Sequence, residues 1–181
     1  MIVAQKDRTD THSWVGSIIT ASGIQFDVLH PRMDRVDVYD VARSLSHICR
    51  YNGHLPGFYS VAEHSVRVSE HLQTSGEDPL VCLTGLLHDA AEAYIGDMVR
   101  PIKKLPEMKV FEEDIEPRVA VVLHEALGGV YPYPDAIHQA DKAVYEWEVA
   151  NIRTGICFGK SPQDAFNDFL SRYAHLRRLV K

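Results

Sequence analysis

The amino-acid sequence predicts a mainly α-helical fold, a bundle of about six helices preceded by a small N-terminal β-hairpin. Three observations carry that expectation. Apolar residues recur at spacings of three and four through most of the chain after Pro31. Ser, Asp, Pro and Gly punctuate the ends of those runs, as helix starts and stops require. Strict alternation of apolar and polar residues is confined to one short stretch, residues 16–29. At 181 residues the chain fits one domain, 1–181, and 45% hydrophobic against 24% charged residues excludes a disordered or fibrous chain.

In residues 16–29, GSIITASGIQFDVL, Ile18 and Ile19 precede a Ser22-Gly23 turn, and Ile24, Phe26 and Val28 then alternate with polar neighbours. The spacing becomes helical in DVYDVARSLSHICRYNG, where Val41, Leu45 and Ile48 share a face and Asn52-Gly53 supplies a stop. After the loop GHLPGFY, Ser60 and Glu63 form an S-x-x-E capping box for a helix whose inward stripe is Val61, His64 (or Ser65), Val68 and Leu72. Asp78-Pro79 starts a third helix, read as continuous through LVCLTGLLHDAAEAYI to Gly96. A loop around Pro101 and Pro106 leads to MKVFEEDIEPRVAVVLHEAL, a helix kinked or broken near Pro117. The next, DAIHQADKAVYEWEVANI, carries the stripe Ile137, Ala140, Val144 and Trp147, and Ser161-Pro162 opens a last helix over 161–179.

Lys and Arg number 19 against 25 Asp and Glu, a net charge of −6, which argues against a protein held on nucleic acid or anionic membrane by bulk charge. A small anionic substrate stays open, because a pocket needs only a few local cations. No run approaches the ~20 apolar residues of a membrane span. Met1 to Trp14 is polar and carries no secretory pattern. Cys49, Cys82 and Cys157 are odd in number and form no C-x-x-C pair. The expectation is therefore a cytoplasmic protein with a small-molecule partner, no nucleic acid and no membrane.

Chemistry is concentrated around the ten histidines, above all in GLLHDAAEAYIGD. His88 and Asp89 stand side by side inside an apolar helix, where a carboxylate costs several kcal/mol unless a cation or strong donors compensate. Adjacent residues diverge by about 100° on a helix, so both heads can flank one ion. A hydrogen-bonded buried pair is the competing explanation. His64 lies on or beside an inward stripe, as a satisfied core histidine also would. Asp141 interrupts the apolar stripe of a later helix, as a buried salt bridge also would. Glu92 follows His88 by four residues on the same face, where a general acid or base acting beside a metal would sit.

The order H…HD…D, with the phrases SLSHICRYNGHLPGFYSVAEHSV, LLHDAAEAYIGDMVRPIK and IHQADKAVYEWE, resembles the HD superfamily of metal-dependent phosphohydrolases over roughly residues 38–150. Within it, the chain is similar to the branch of 5′-deoxynucleotidases and phage-type dATP triphosphohydrolases. The resemblance implies an HD-domain helical bundle, with His64, His88, Asp89 and Asp141 as ligands of one divalent transition metal (Zn, Mn, Co or Fe) and a possible second ion such as Mg. It implies Glu92 as catalytic carboxylate, Asp97 as a second acid, and Lys103 and Arg50 as phosphate or sugar contacts. Tyr51 stands where the nucleotidase branch has a tryptophan that helps exclude ribose, and Asn52 adjoins it. A homo-oligomer, and a host cytoplasm if the gene is phage-borne, follow from the same analogy.

Alternatives persist residue by residue. Lys103 could be a solvated loop lysine beside Lys104, and Arg50 a helix C-terminal charge facing the dipole. His54 and Tyr59 share the loop with Asn52 and could contact a base or sugar, and loops 51–59 and 129–134 are where base selection is expected. His124 and His138 are expected to be structural or on the surface. The implied function is hydrolysis of phosphate from deoxyribonucleotides, dATP foremost. The alternatives are a 5′-deoxynucleotidase acting on monophosphates, a nucleotide-binding regulatory domain without turnover, and a wholly structural helical domain with a buried ion pair.

Overall fold

The computed structural model describes residues 15–154 and 159–180. Met1–Trp14 and Cys157, both used above, lie outside them. Eight α-helical segments follow a two-stranded hairpin: β1 (Ser17–Ile19), β2 (Gln25–Asp27), α1 (Val38–Leu45), α2 (Val61–Thr74), α3 (Pro79–Leu87), α4 (Glu92–Ile95), α5 (Arg100–Lys103), α6 (Glu116–Leu127), α7 (Asp135–Arg153) and α8 (Pro162–Leu179). Among the described residues six of these run to eight residues or more, and α4 and α5 are single turns. The expected mainly helical fold with a small hairpin is what the structure shows. No helix among the described residues is long and apolar enough to cross a membrane.

The hairpin is antiparallel with Ile18 opposite Phe26, and its turn uses Gly23 at a φ of 87°, open to glycine without strain. Phe26 is fully buried and stacks on Tyr94 of α4 at 3.9 Å, while the turn is tied to α1 by Ser22, whose N–H and hydroxyl both donate to Asp40. Around that cap, α2 packs against α3, α7 and α8, and the shared core includes Val41, Leu45, Val61, Val68, Leu83, Leu86, Leu123, Ile137 and Phe169. Ser60 caps α2 by accepting the N–H of Glu63. The reciprocal half of the capping box is absent, because the Glu63 carboxylate accepts from Arg67 and from the N–H of Lys160 instead.

Two expected elements are corrected, and a third takes a specific form. The first helix ends at Ser46, not at Asn52-Gly53. Beyond it Cys49 bridges Ser60 in extended pairing, with the N–H of Arg50 donating to Tyr59 and that of Val61 to Ile48, so this segment is pinned to the start of α2. The third helix does not run through to Gly96. After Leu87 its bonds tighten to the i→i−3 kind, Ala90 to Leu87 and Glu92 to Asp89, before α4 resumes and Gly96, at a φ of 83°, ends it. The expected break near Pro117 is a π-helical segment over Phe111–Ile115 leading into α6, whose first turn holds the proline that cannot donate backward.

His124 of α6 is 1% exposed, and burial, reinforced by His88, depresses its pKa to about 4. The folded state keeps this ring neutral while the unfolded chain protonates near pH 6.5. Stability from this group is complete above about pH 6.5 and declines as pH falls toward 4, by on the order of 3 kcal/mol. Urea unfolding across that window should show the decline in the wild-type chain and a flatter profile in His124→Leu; parallel profiles would show that His124 is not its source.

Candidate metal centre

Three segments converge on one cluster of imidazoles and carboxylates. His64, in the first turn of α2, is completely buried. His88 and Asp89 stand in the tightened turn after α3, and Asp141 lies in the second turn of α7. The His64, His88 and Asp89 ligand atoms all fall within 4.8 Å of one another. Asp141 reaches the same place, its Oδ1 lying 3.2 Å from His64 Nε2 and 4.0 Å from His88 Nε2.

Hydrogen bonds behind the rings decide what faces inward. His64 Nδ1 lies 2.7 Å from Glu148, whose pKa falls to about 2 because donors from His64 and the charge of Arg50 outweigh its burial; an ionised carboxylate can only accept, so Nδ1 carries the proton. His88 Nδ1 lies 2.8 Å from the Gly85 carbonyl, which likewise can only accept. Tyr133 holds the same turn by donating to the His88 carbonyl at 2.8 Å. In its neutral form each ring therefore turns a bare Nε2 lone pair inward, and both Nε2 atoms are buried with no hydrogen-bond partner among the described residues. They confront Asp89 Oδ2 at 3.6 and 3.2 Å. Lone pairs and carboxylates at that range repel unless a cation lies between them. Burial would depress His88, but Asp89 and Asp141 lift it to about 9, so a second ring proton is one such cation.

A divalent metal is the other. Ligand atoms 2.0–2.2 Å from one ion stand roughly 3.0–3.5 Å apart, close to the separations found here. Two imidazoles with one or two carboxylates suit Zn, Mn, Fe or Co. The residues present fit such an ion, and the His64–His88–Asp89 group could hold it.

Glu148 was missed by sequence reasoning. Its carboxylate is fully buried and accepts from His64, from the hydroxyls of Tyr51 and Tyr59 at 2.6 and 2.7 Å, and from Arg50 at 3.2 Å. The expected stripe ended at Trp147, but Trp147 is 41% exposed with the Arg67 guanidinium 4.5 Å from its ring, and Glu148 takes the inward place. The signal existed: Asp141 and Glu148 are one heptad apart, on one helix face.

A cavity of about 550 Å³ opens beside the cluster. Arg50, Tyr51, Asn52, Glu92, Asp97 and Lys103 line it with Asp89 and Asp141, so the structure gathers the residues that the resemblance assigned to substrate or catalysis. Tyr51 and Asn52 are left-handed, with φ of 56° and 51°, at a cost of roughly 1–2 kcal/mol each; the Tyr51–Glu148 bond and Arg50 stacked 5.5 Å from the Tyr51 ring hold the turn. Burial, with the charges of Asp89 and Asp97, pushes Glu92 well above the usual carboxylate range, and its Oε2 is buried without a partner among the described residues. Burial also raises Asp97. Lys103 donates to Glu116 at 2.8 Å.

Two expectations about the cavity are corrected, and a residue is added. His54 lines the cavity, but Tyr59 is 1% exposed and turns its hydroxyl to Glu148, away from any base or sugar. Loop 129–134 packs behind His88, Tyr133 holding that turn; Met98, Val99, Arg100 and Pro101 form the wall instead. Arg100, which no motif or spacing singled out, donates from Nη2 to Asp141 Oδ2 at 2.6 Å.

No family model matches the chain. It is similar to the uncharacterized protein YfdR of Escherichia coli (strain K12), with 41% identity over 100 residues, 55% of this chain and 53% of YfdR. The chain thus spans about half the length of that relative. It is also similar to the uncharacterized protein RCAP_rcc00048 of Rhodobacter capsulatus, with 36% identity over 137 residues, 72% of this chain and 70% of the relative. That identity and coverage are enough for one conclusion: the chain belongs to the same family as RCAP_rcc00048.

Proposed function

We propose that the chain is a metal-dependent phosphohydrolase of the HD type that removes phosphate from deoxyribonucleotides, with dATP the favoured substrate. The observation that carries this reading is the pair of tautomer-locked imidazoles whose bare Nε2 atoms meet Asp89 and Asp141 at the wall of a nucleotide-sized cavity. His64, His88, Asp89 and Asp141 would hold one divalent cation, with Asp97 available to a second. When bound, that cation polarises a phosphoryl oxygen and lowers the pKa of water.

The rest follows from the chain's own side chains. Arg50 and Lys103 line the cavity and meet the phosphate's negative charge, which Asp89, Asp141 and Asp97 alone would repel. Glu92, whose burial among acidic neighbours makes its carboxylate a stronger base than an exposed one, is suited to take a proton from the attacking water. The water oxygen adds to phosphorus, the P–O bond to the leaving group breaks, and the leaving oxygen keeps the electron pair. Glu148 orients His64 and holds Arg50 and Tyr51 facing the cavity.

Purified protein titrated with Co²⁺ or Zn²⁺ should bind about one ion per chain tightly. Asp89→Asn should abolish that binding, and Glu148→Gln should weaken it by roughly 10- to 100-fold. Unchanged affinity in both would remove the metal centre. Glu92→Gln should keep the metal but lower kcat by roughly 10²- to 10⁴-fold; full activity would strip Glu92 of its role. A screen of the four dNTPs, the four dNMPs, ATP and AMP, following released phosphate and nucleoside, tests the substrate. Turnover of dATP alone supports the reading, broad dNMP cleavage makes the chain a 5′-nucleotidase, and a metal-loaded protein without turnover becomes a nucleotide-sensing domain.

A further inference from the structure

Three basic side chains, Arg50, Lys103 and Arg100, line the cavity, and each already has an acidic partner. Arg50 pairs with Glu148 at 3.2 Å and more loosely, at 3.7 Å, with Asp89, while Lys103 pairs with Glu116; Glu148 and Glu116 are not part of the cavity wall. Arg100 pairs with Asp141, which is. Their accessibility separates them further: the Arg50 and Lys103 side chains are 13% and 17% exposed, that of Arg100 67%. Arg50 and Lys103 are fixed deep in the wall, whereas Arg100 stands at the mouth on the α5 turn, its guanidinium 5.8 Å from the ring of Tyr145.

Arg100 also has capacity to spare. Its Nη2 bonds to Asp141 Oδ2, while Nε and Nη1 make no hydrogen bond among the described residues. Asp141 turns its other oxygen to His64. With a dication held between the imidazoles, the charge of Asp141 is largely claimed on that side, and the positive charge of Arg100 becomes surplus at the entrance. A guanidinium fork with open donors recognises phosphate oxygens, and it can do so here without releasing Asp141.

We infer that Arg100 reads phosphate-chain length, engaging a phosphate beyond the one held between Arg50, Lys103 and the metal ligands and thereby favouring polyphosphate over monophosphate. This rests on the phosphohydrolase reading and adds to it a specificity-determining residue. A single phosphate in the depth of the cavity is served by Arg50 and Lys103, whereas a longer chain extends toward the exposed guanidinium.

The test is calorimetric and needs no turnover. Inorganic tripolyphosphate and orthophosphate are titrated into Co²⁺-loaded wild type, Arg100→Ala and Arg100→Lys, with metal content measured on the same samples. Arg100→Ala should lose roughly 10- to 100-fold in tripolyphosphate affinity relative to orthophosphate, at unchanged metal stoichiometry, and Arg100→Lys should recover part of it. Equal losses for both anions, no loss for either, or loss of the metal would overturn the assignment, the last making Arg100 a support for Asp141 alone. Wild type that holds Co²⁺ yet binds neither anion would bring down the phosphohydrolase reading with it, whereas wild type and Arg100→Ala binding tripolyphosphate alike removes only the role of Arg100.

Discussion

The structure depends on an electrostatic conflict that only positive charge resolves. Two imidazoles are locked by hydrogen bonds on their far sides, and their free nitrogens point at carboxylates 3.2–3.6 Å away in a largely buried space. Such a cluster costs several kcal/mol of desolvation per charge and gains nothing from mutual repulsion. A helical core that needed only stability would fill this space with leucine. The expense makes sense where the cluster holds something, and in the function proposed above that something is a divalent cation, which its donor types and spacing suit.

Glu148 converts that local conflict into long-range order. One carboxylate joins α2 through His64, the loop after α1 through Arg50 and Tyr51, and the approach to α2 through Tyr59. The strained left-handed pair Tyr51–Asn52 persists because the Tyr51 hydroxyl ends on that carboxylate. Ligand orientation and cavity wall therefore share a single anchor. Anything that moves Glu148 moves both the prospective ligand His64 and Arg50, a cation of the cavity wall.

The helices are legible because burial imposes period: spacing alone puts Val61, His64 (or Ser65), Val68 and Leu72 on one face. His88, Asp89 and Asp141 were legible as violations of that period, polar groups where apolar ones belong. What escaped detection was decided by tertiary pairing. The first helix stops at Ser46 because the following strand-like segment pairs opposite Ser60, bonding to Tyr59 and Val61, partners remote from any local signal. Trp147 looked like core and Glu148 like surface because hydrophobicity favours the ring; the four donors that overrule this all come from outside α7. Arg100 was invisible for the same reason, since its meaning lies in an Asp141 forty-one residues away.

The break between α3 and α4 shows how the fold serves the site. A continuous helix would commit the Gly85 carbonyl to the backbone N–H of Asp89 and carry Glu92 around with the regular helical pitch. In the tightened turn the carbonyl instead receives His88 Nδ1, and Glu92 N–H closes back on Asp89. The same departure from regular geometry fixes a histidine tautomer and sets a raised-pKa carboxylate on the wall of the cavity beside Asp89. Irregular backbone at this point is thus the means by which one stretch of chain supplies two prospective ligands and a prospective base, and the apolar residues around it, Leu86, Leu87, Ala90 and Ala91, bear its cost.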